Sequence, residues 1–226
     1  MREIKLKFDG RDAIIVRPEN PNGKWIWKTE FLYAFDKAET ELCKDGYTRV
    51  YYSVSNKYGS YQAIRLMHRF HLHIIKELQL EEKCFLFGFS RGGLYAFNYA
   101  LTYPEYVEKV YLDAPVLDMR SWPWDGSEER DQVYKEFDLT PETLKVFKGH
   151  PIENLEEYFV LNIPTLLVAG DSDEIVPFEE NALKMINYCK EHNIPLEYYV
   201  KQNCKHHPHS LEDDINPIIK FIKNEK

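Results

Sequence analysis

A chain of 226 residues with 44% hydrophobic and 15% aromatic residues can form one folded domain with a sizeable core, which excludes a disordered chain. Its formal net charge of −8 at pH 7 disfavours nucleic acid or an anionic membrane as a partner, and no apolar run is long enough to cross a bilayer. Residues 1–5 show no signal-peptide pattern and the four cysteines form no C-x-x-C pair, so we expect a cytoplasmic protein with free thiols.

The chain opens with the pattern of a hairpin. Residues 4–8 alternate between apolar and polar side chains, Asp9-Gly10 provides a turn, and residues 13–16 are apolar, which predicts two antiparallel strands. A loop rich in proline, asparagine and glycine then leads to Trp25-Ile26-Trp27. The apolar positions that follow predict a helix over residues 29–44.

Strand and helix patterns then alternate along the chain. Ser60 is placed to cap a long amphipathic helix, and a helix that begins at Ser90 is closed by Pro104. The predicted strands are residues 47–54, 84–87, 107–113, 164–169 and 196–200, and the last two helices are residues 179–192 and 215–222.

Residues 115–163 break this alternation. The segment holds a Trp-Pro-Trp-Asp-Gly stretch, an acidic run and a helix pattern after Thr140-Pro141. We predict a single α/β domain over residues 1–226, in which this segment is a cap-like insertion over the top of the sheet, before the next-to-last strand. The sheet should be mostly parallel, with helices on both faces.

The turn at residues 88–92, which we call the elbow, carries the strongest chemical signal. Gly88-Phe89-Ser90-Arg91-Gly92 fits G-x-S-x-G, in which a serine stands on a strained turn between a strand and a helix. The flanking glycines are required because the turn leaves no room for a Cβ two residues from the serine. Ser90 is therefore the predicted nucleophile, and the amide of Arg91 is a predicted donor to a developing oxyanion.

Three polar loops follow predicted strands in the order Ser, Asp, His. Ser90 follows the central strand, Asp171-Ser172-Asp173-Glu174 follows the next-to-last, and His206-His207-Pro208-His209 follows the last. The carboxyl ends of parallel strands meet at one edge of a sheet, so these loops should converge. Serine needs a neutral imidazole to take its proton, and the imidazole needs a carboxylate to orient it.

The chain resembles a small serine hydrolase of the α/β-hydrolase fold over nearly its whole length. The motifs that carry the resemblance are residues 88–93, residues 168–177 and residues 205–211. The resemblance implies that Asp173, three residues after a glycine, is the acid and that His206 is the base. Lys205 stands where the family usually has glycine, which leaves His207 as an alternative base. No cofactor or metal is implied.

Other readings of these residues stay open at this level. Asp171 or Asp113 could supply the acid, His209 could lie on the surface or cap a helix, and Cys204 is expected to be a packing residue. A metal site is a further alternative, since imidazole and carboxylate both bind zinc. Its ligands would be His206, His207, His209 and Asp213.

The second oxyanion donor and the substrate pocket are predicted from aromatic residues. The fold usually supplies the second donor from the loop after an early strand, and here the backbone amide of Trp27 is the predicted donor. An aromatic pocket suits a sugar ring or an acyl group. Its predicted residues are Trp25, Tyr58, Trp122 and Trp124, although the tryptophans could equally belong to the core or anchor the insertion.

These features predict an enzyme that hydrolyses a small carboxylic ester, such as an acetylated sugar, through Ser90, His206 and Asp173. The expected partner is therefore a small-molecule ester. A peptidase that acts on short peptides uses the same order of residues. A catalytically silent protein of the same fold that binds a small ligand is the alternative from outside the enzymes.

Overall fold

The computed structural model describes residues 1–206 and 211–225. Its strands are β1 (Arg2–Phe8), β2 (Arg11–Arg17), β3 (Trp25–Lys28), β4 (Thr48–Tyr52), β5 (Cys84–Phe89), β6 (Val107–Asp113), β7 (Thr165–Gly170) and β8 (Glu197–Lys201). Its α-helices are α1 (Lys37–Lys44), α2 (Tyr61–Leu78), α3 (Gly92–Thr102), α4 (Glu128–Phe137), α5 (Pro141–Val146), α6 (Leu155–Phe159), α7 (Ala182–Glu191) and α8 (Asn216–Lys223). None of these helices has both the length and the apolar character needed to cross a bilayer.

The strands of the described residues form one sheet in the order β1-β2-β4-β3-β5-β6-β7-β8. The predicted hairpin is confirmed, with β1 antiparallel to β2 and β2 antiparallel to β4. From β4 to β8, every neighbouring pair of strands is parallel. The carboxyl ends of these strands therefore lie along one edge of the sheet, which is where ligands bind in sheets of this kind.

Alternating side chains on each strand build a core on both faces of the sheet. On β5, Leu86 packs with the apolar side chains of α2 and α3, whereas Phe85 and Phe87 face α1 and α8. Ser60 caps α2 as predicted, because its side chain accepts a hydrogen bond from the Ala63 amide. The predicted mostly parallel sheet with helices on both faces is confirmed.

The segment after the hairpin differs from its sequence prediction. Trp25–Lys28, predicted as part of a loop, is the strand β3 between β4 and β5. The predicted helix over residues 29–44 begins only at Lys37, and the chain before it is a loop in which Phe31 and Phe35 have φ values of 55° and 50°. Left-handed backbone interrupts a helix, so this loop is held by contacts from elsewhere in the fold.

A buried ion pair between the end of β3 and α1 holds that loop in place. The Lys28 ammonium at the end of β3 donates to the Ala34 carbonyl at 3.0 Å and to the carboxylate of Glu39 on α1. Both charged side chains are fully buried, and burial lowers the pKa of Lys28 while Glu39 opposes the shift. A buried charge requires such a partner, so the loop returns toward α1 over residues 29–36.

The insertion lies between β6 and β7 and contains the helices α4, α5 and α6. Ser127 caps α4 by accepting from the Arg130 amide, and Thr140 and Thr143 form a capping box at the start of α5. Buried Arg130 donates to the carbonyls of Met119 and Arg120, which fixes the start of the segment to α4. The insertion is therefore a folded part of the chain.

Candidate active site

Ser90 stands at the turn between β5 and α3 with a φ of 51°. A Cβ added to Gly88 would lie 2.8 Å from the Cβ of Ala96, and one added to Gly92 would lie 2.9 Å from the Thr29 hydroxyl. Both distances are too short for real side chains, so the turn requires glycine on both sides of the serine. The G-x-S-x-G spacing thus reflects contacts of β5 with α3 and with the loop after β3.

Ser90, His206 and Asp173 form a continuous hydrogen-bonded array. The Nε2 atom of His206 lies 3.1 Å from the Ser90 hydroxyl, and its Nδ1 atom lies 2.7 Å from Oδ2 of Asp173. The other Asp173 oxygen accepts from the amides of Ile175 and Val176, each at 3.0 Å. His206 and Asp173 are buried, whereas Ser90 is partly accessible. This geometry can pass a proton from the serine to the imidazole while the carboxylate stabilises the imidazolium.

The acid and histidine loops pack directly on each other. The Ser172 amide donates to the Cys204 carbonyl at 3.0 Å, and a Cβ added to Gly170 would lie 2.2 Å from that carbonyl oxygen. A larger residue at the end of β7 would therefore push the two loops apart. Cys204 is half-buried within this contact, so its backbone holds the loop that carries His206.

The two alternative acids lie in other surroundings. Exposed Asp171 accepts from the Asn203 amide at 2.7 Å and from the Ser172 hydroxyl at 3.0 Å, so it fastens the turn between the same two loops. Asp113, at the end of β6, is fully buried and accepts a hydrogen bond from the Tyr111 hydroxyl. Asp173, by contrast, contacts Nδ1 of His206 directly.

Part of the predicted histidine motif cannot be placed. His207, the alternative base, and His209 lie outside the described residues, so the alternatives that depend on them stay predictions. Among residues 1–206 and 211–225, no three side chains of the metal-binding types come together in a cluster.

Trp27 does not occupy the position predicted for the second oxyanion donor. It lies inside β3, paired with Val50 of β4 and Leu86 of β5, and its ring packs against Tyr99 in the core at a centroid distance of 5.3 Å. Amides of a central strand bond to the neighbouring strands, so the Trp27 amide is unsuited to a substrate. The prediction for Trp27 is therefore corrected, and the loop after β3 contacts the turn of Ser90 through Gly92 and Arg91.

The predicted pocket residues divide between core and surface. Trp25 is a core residue whose indole N–H donates to the Glu81 carbonyl at 2.9 Å, so its prediction as pocket wall is corrected. Tyr58 and half-buried Trp122 contact each other at a centroid distance of 6.3 Å. Trp124 is 54% exposed on the insertion. Burial raises the pKa of Tyr58, and the positive charge of Arg91 opposes the shift.

Sequence reasoning missed Glu30 because its segment was predicted to be helical. The Glu30 side chain is buried, and its Oε2 atom accepts from Nε and Nη2 of Arg91 at 3.1 and 3.0 Å. The Arg91 guanidinium also lies over the ring of Phe31, 5.2 Å from its centroid. Glu30 lies 61 residues before Arg91 in the chain, so no local sequence pattern indicates that the two side chains pair.

Comparisons with known proteins agree with this architecture. The sequence model of the prolyl oligopeptidase family matches residues 45–225, and no curated protein sequence matches the chain. Solved structures that resemble it include dipeptidyl peptidase 4 of Porphyromonas gingivalis, with 15% identity and a TM-score of 0.72. The chain is covered to 99% but spans only 35% of that peptidase.

Two smaller proteins match over most of their own length. The fluorophosphonate-binding serine hydrolase FphF of Staphylococcus aureus has 14% identity and a TM-score of 0.73, with 99% of this chain and 96% of that chain covered. A putative esterase from Staphylococcus aureus has 14% identity and a TM-score of 0.70, with 98% and 82% covered. At these identities the structural matches show a shared fold.

Proposed function

Because the chain belongs to the prolyl oligopeptidase family and is a serine hydrolase of the α/β-hydrolase fold, we propose that it cleaves a small carboxylic ester through an acyl-enzyme on Ser90. The observation that carries the proposal is the array in which His206 contacts Ser90 on one side and Asp173 on the other. Such an array activates a serine that would otherwise be a weak nucleophile.

The reaction follows from the contacts of His206. The Ser90 oxygen attacks the ester carbonyl carbon while its proton moves to Nε2 of His206, and Asp173 stabilises the resulting imidazolium at Nδ1. His206 then gives that proton to the leaving alcohol, which leaves an acyl group on Ser90. A water molecule, deprotonated by the same nitrogen, attacks the acyl group, and the carboxylic acid is released as Ser90 regains its proton.

The negatively charged oxygen of the tetrahedral intermediate needs hydrogen-bond donors, which together form an oxyanion hole. The Arg91 amide, first after the nucleophile, is one proposed donor, and the Glu30–Phe31 segment supplies the other. Among the described residues, none of these three amides has a hydrogen-bond acceptor. Gly92 brings the two segments together, since a Cβ there would lie 3.2 Å from that of Glu30.

Aromatic side chains near Arg91 support a small acyl group or a sugar ring as the group bound. Phe31 is 40% exposed beneath the Arg91 guanidinium, and the rings of Tyr58 and Trp122 lie 6.3 Å apart, tilted by 46°, where the insertion meets the loop after β4. Aromatic faces bind apolar acyl groups and the C–H faces of sugars. A carbohydrate-derived acetyl ester is therefore the substrate that we propose to test first.

A peptidase acting on short peptides is the second candidate, and the family match supports it. The two candidates share the serine chemistry and differ in the leaving group that His206 protonates, which is an alcohol for an ester and an amine for a peptide. Parallel measurement of kcat/KM on p-nitrophenyl acetate, p-nitrophenyl butyrate, an acetylated monosaccharide and a dipeptide p-nitroanilide decides between them. Faster turnover of the anilide than of every ester would replace the ester proposal.

Labelling with a fluorophosphonate probe tests the serine itself. Wild-type protein should react, and Ser90→Ala should lose both labelling and turnover, with less than about a hundredth of the activity remaining. Ser127→Ala is a matched control, because it removes a hydroxyl that bonds to the Trp124 carbonyl and the Arg130 amide where it caps α4. Failure of the wild type to react with the probe would favour a silent binding protein and refute the hydrolase mechanism.

A further inference from the structure

The ion pair between Glu30 and Arg91 joins the two segments that supply the oxyanion donors. Glu30 follows β3, and Arg91 directly follows the nucleophile. One carboxylate oxygen of Glu30 accepts two N–H groups of the Arg91 guanidinium, at 3.1 and 3.0 Å. The Glu30 side chain is 2% exposed and that of Arg91 25%, so the pair is shielded from solvent on the acid side. A shielded, charge-assisted pair of this kind holds its two segments at a defined separation.

Neighbouring contacts show that the pair belongs to a larger junction. The Thr29 hydroxyl contacts the carbonyls of Phe87 on β5 and Gly92 on α3, at 3.1 and 2.9 Å. The Thr29 amide continues the pairing with β5 by donating to the Phe87 carbonyl at 3.1 Å. Thr29 therefore fixes the start of the loop through backbone carbonyls. Beyond it, Glu30 and the Phe31 ring are the residues that contact the Arg91 side chain.

We propose that Glu30 is a positioning residue, whose ion pair with Arg91 sets the separation of the two oxyanion donors. This inference rests on the proposed hydrolase function. The amides act only if both lie within hydrogen-bond distance of the position that the oxyanion takes in the transition state. Glu30 does not touch the reacting atoms in this scheme. It acts through the backbone, by holding residues 30 and 31 against residue 91.

The prediction concerns kcat rather than substrate affinity. Glu30→Gln keeps the shape of the side chain but removes the charge that strengthens both hydrogen bonds. Loss of a whole oxyanion donor lowers kcat by about 10²–10³-fold, so a displaced donor should lower kcat by about 10- to 100-fold with KM changed less than about threefold. Arg91→Met should produce a loss of similar size, and Arg91→Lys a smaller one, because lysine keeps the charge without the planar fork.

The double variant and a control separate positioning from a general loss of structure. If the pair acts as one unit, Glu30→Gln combined with Arg91→Met should cost little more than either change alone. Asp36→Asn is the matched control, since Asp36 lies in the same loop and pairs with Arg49 at 2.7 Å, away from the elbow. It should leave kcat within about twofold of wild type.

Substrates of different charge separate a positioning role of the ion pair from direct substrate binding by Arg91. All variants are measured with p-nitrophenyl acetate and with a p-nitrophenyl ester that carries a carboxylate. Equal fold losses of kcat on both substrates support the positioning role, whereas a loss confined to KM for the carboxylate ester would overturn it and make Arg91 a substrate-binding residue. If the wild type is active and both Glu30→Gln and Arg91→Met keep its kcat, the positioning role of Glu30 is refuted while the proposed hydrolase function stands. If the wild type cleaves neither the esters nor the anilide and does not react with the fluorophosphonate probe, the proposed function is refuted, and the positioning role of Glu30 with it.

Discussion

Replacing Asp173 by asparagine changes the proton arrangement of His206 with almost no change in shape. One oxygen of Asp173 accepts two backbone amides at 3.0 Å, and the other lies 2.7 Å from Nδ1 of His206. Asparagine has one acceptor oxygen, which the two amides of the turn would retain. Its NH2 group would then face Nδ1 of His206 and require that nitrogen to be the acceptor. The imidazole proton would move to Nε2, the atom that must accept the proton of Ser90.

The expected loss follows from this wrong tautomer. In serine triads the equivalent change lowers kcat by about 10⁴-fold, so we expect about 10³–10⁴-fold for Asp173→Asn, or about 4–5.5 kcal/mol in the activation free energy. The free energy of unfolding should fall by only about 1–2 kcal/mol, because the three hydrogen bonds of Asp173 lose their charge but keep their partners. Activity should therefore fall far more than stability.

Asp171→Asn is the matched comparison, two residues away in the same loop. Its carboxylate accepts from the Asn203 amide and the Ser172 hydroxyl, so its loss should cost about 0.5–2 kcal/mol of stability and leave kcat within about tenfold of wild type. The assay is kcat with p-nitrophenyl acetate together with the thermal midpoint of each variant. An inactive Asp171→Asn protein of normal stability, beside an active Asp173→Asn protein, would refute the assignment of the acid.

Three further predictions concern the base, the elbow and acid stability. His206→Ala should abolish turnover about as completely as Ser90→Ala, because triad members act as a unit; kcat of the two variants checks this. Gly92→Ala should lower the free energy of unfolding by about 1–3 kcal/mol in urea titrations, since its Cβ would lie 2.9 Å from the Thr29 hydroxyl; unchanged stability would contradict the packing argument. Burial lowers the pKa of His71 to about 4, so between pH 6.5 and pH 4 the unfolded chain binds a proton that the native protein excludes. The free energy of unfolding should therefore fall by about 3 kcal/mol as the pH is lowered from 7 to 4. Urea titrations at these two pH values should show a smaller fall for His71→Asn than for the wild type.

The sequence by itself determined the elbow and the order of the catalytic loops. The G-x-S-x-G spacing lies within five consecutive residues, so the pattern around Ser90 can be recognised without knowledge of the fold, although at Gly92 it is distant Thr29 that leaves no room for a Cβ. Alternation of strand and helix patterns then indicated a parallel sheet, and a parallel sheet brings its carboxyl-end loops to one edge. For this reason the loops of Ser90, Asp173 and His206 could be predicted to meet, although more than 80 residues separate the first two along the chain. The resemblance to the α/β-hydrolases then selected Asp173 and His206 within their loops.

Only the tertiary structure decided the identity of β3 and its consequences. Trp25–Lys28 is four residues long and fully buried, so it has no alternation between exposed and buried positions that a sequence pattern could reveal. Pairing with β4 and β5 makes it a strand, and that pairing turns both Trp25 and Trp27 into the core rather than toward a substrate. The predicted pocket and oxyanion roles of these tryptophans failed for that reason.

The conformation of the loop after β3 could not be predicted from the sequence either. Residues 29–36 have apolar positions that suit a helix, but long-range contacts decide their conformation. Lys28 bonds to the Ala34 carbonyl and Glu39, and Glu30 bonds to Arg91, 61 residues further along the chain. An unpaired charge is costly where the fold excludes water, so these groups are kept in pairs, and burial is a property that only the assembled structure has. The sequence therefore indicated which groups are proposed to carry the chemistry, and the fold decided what holds them in place.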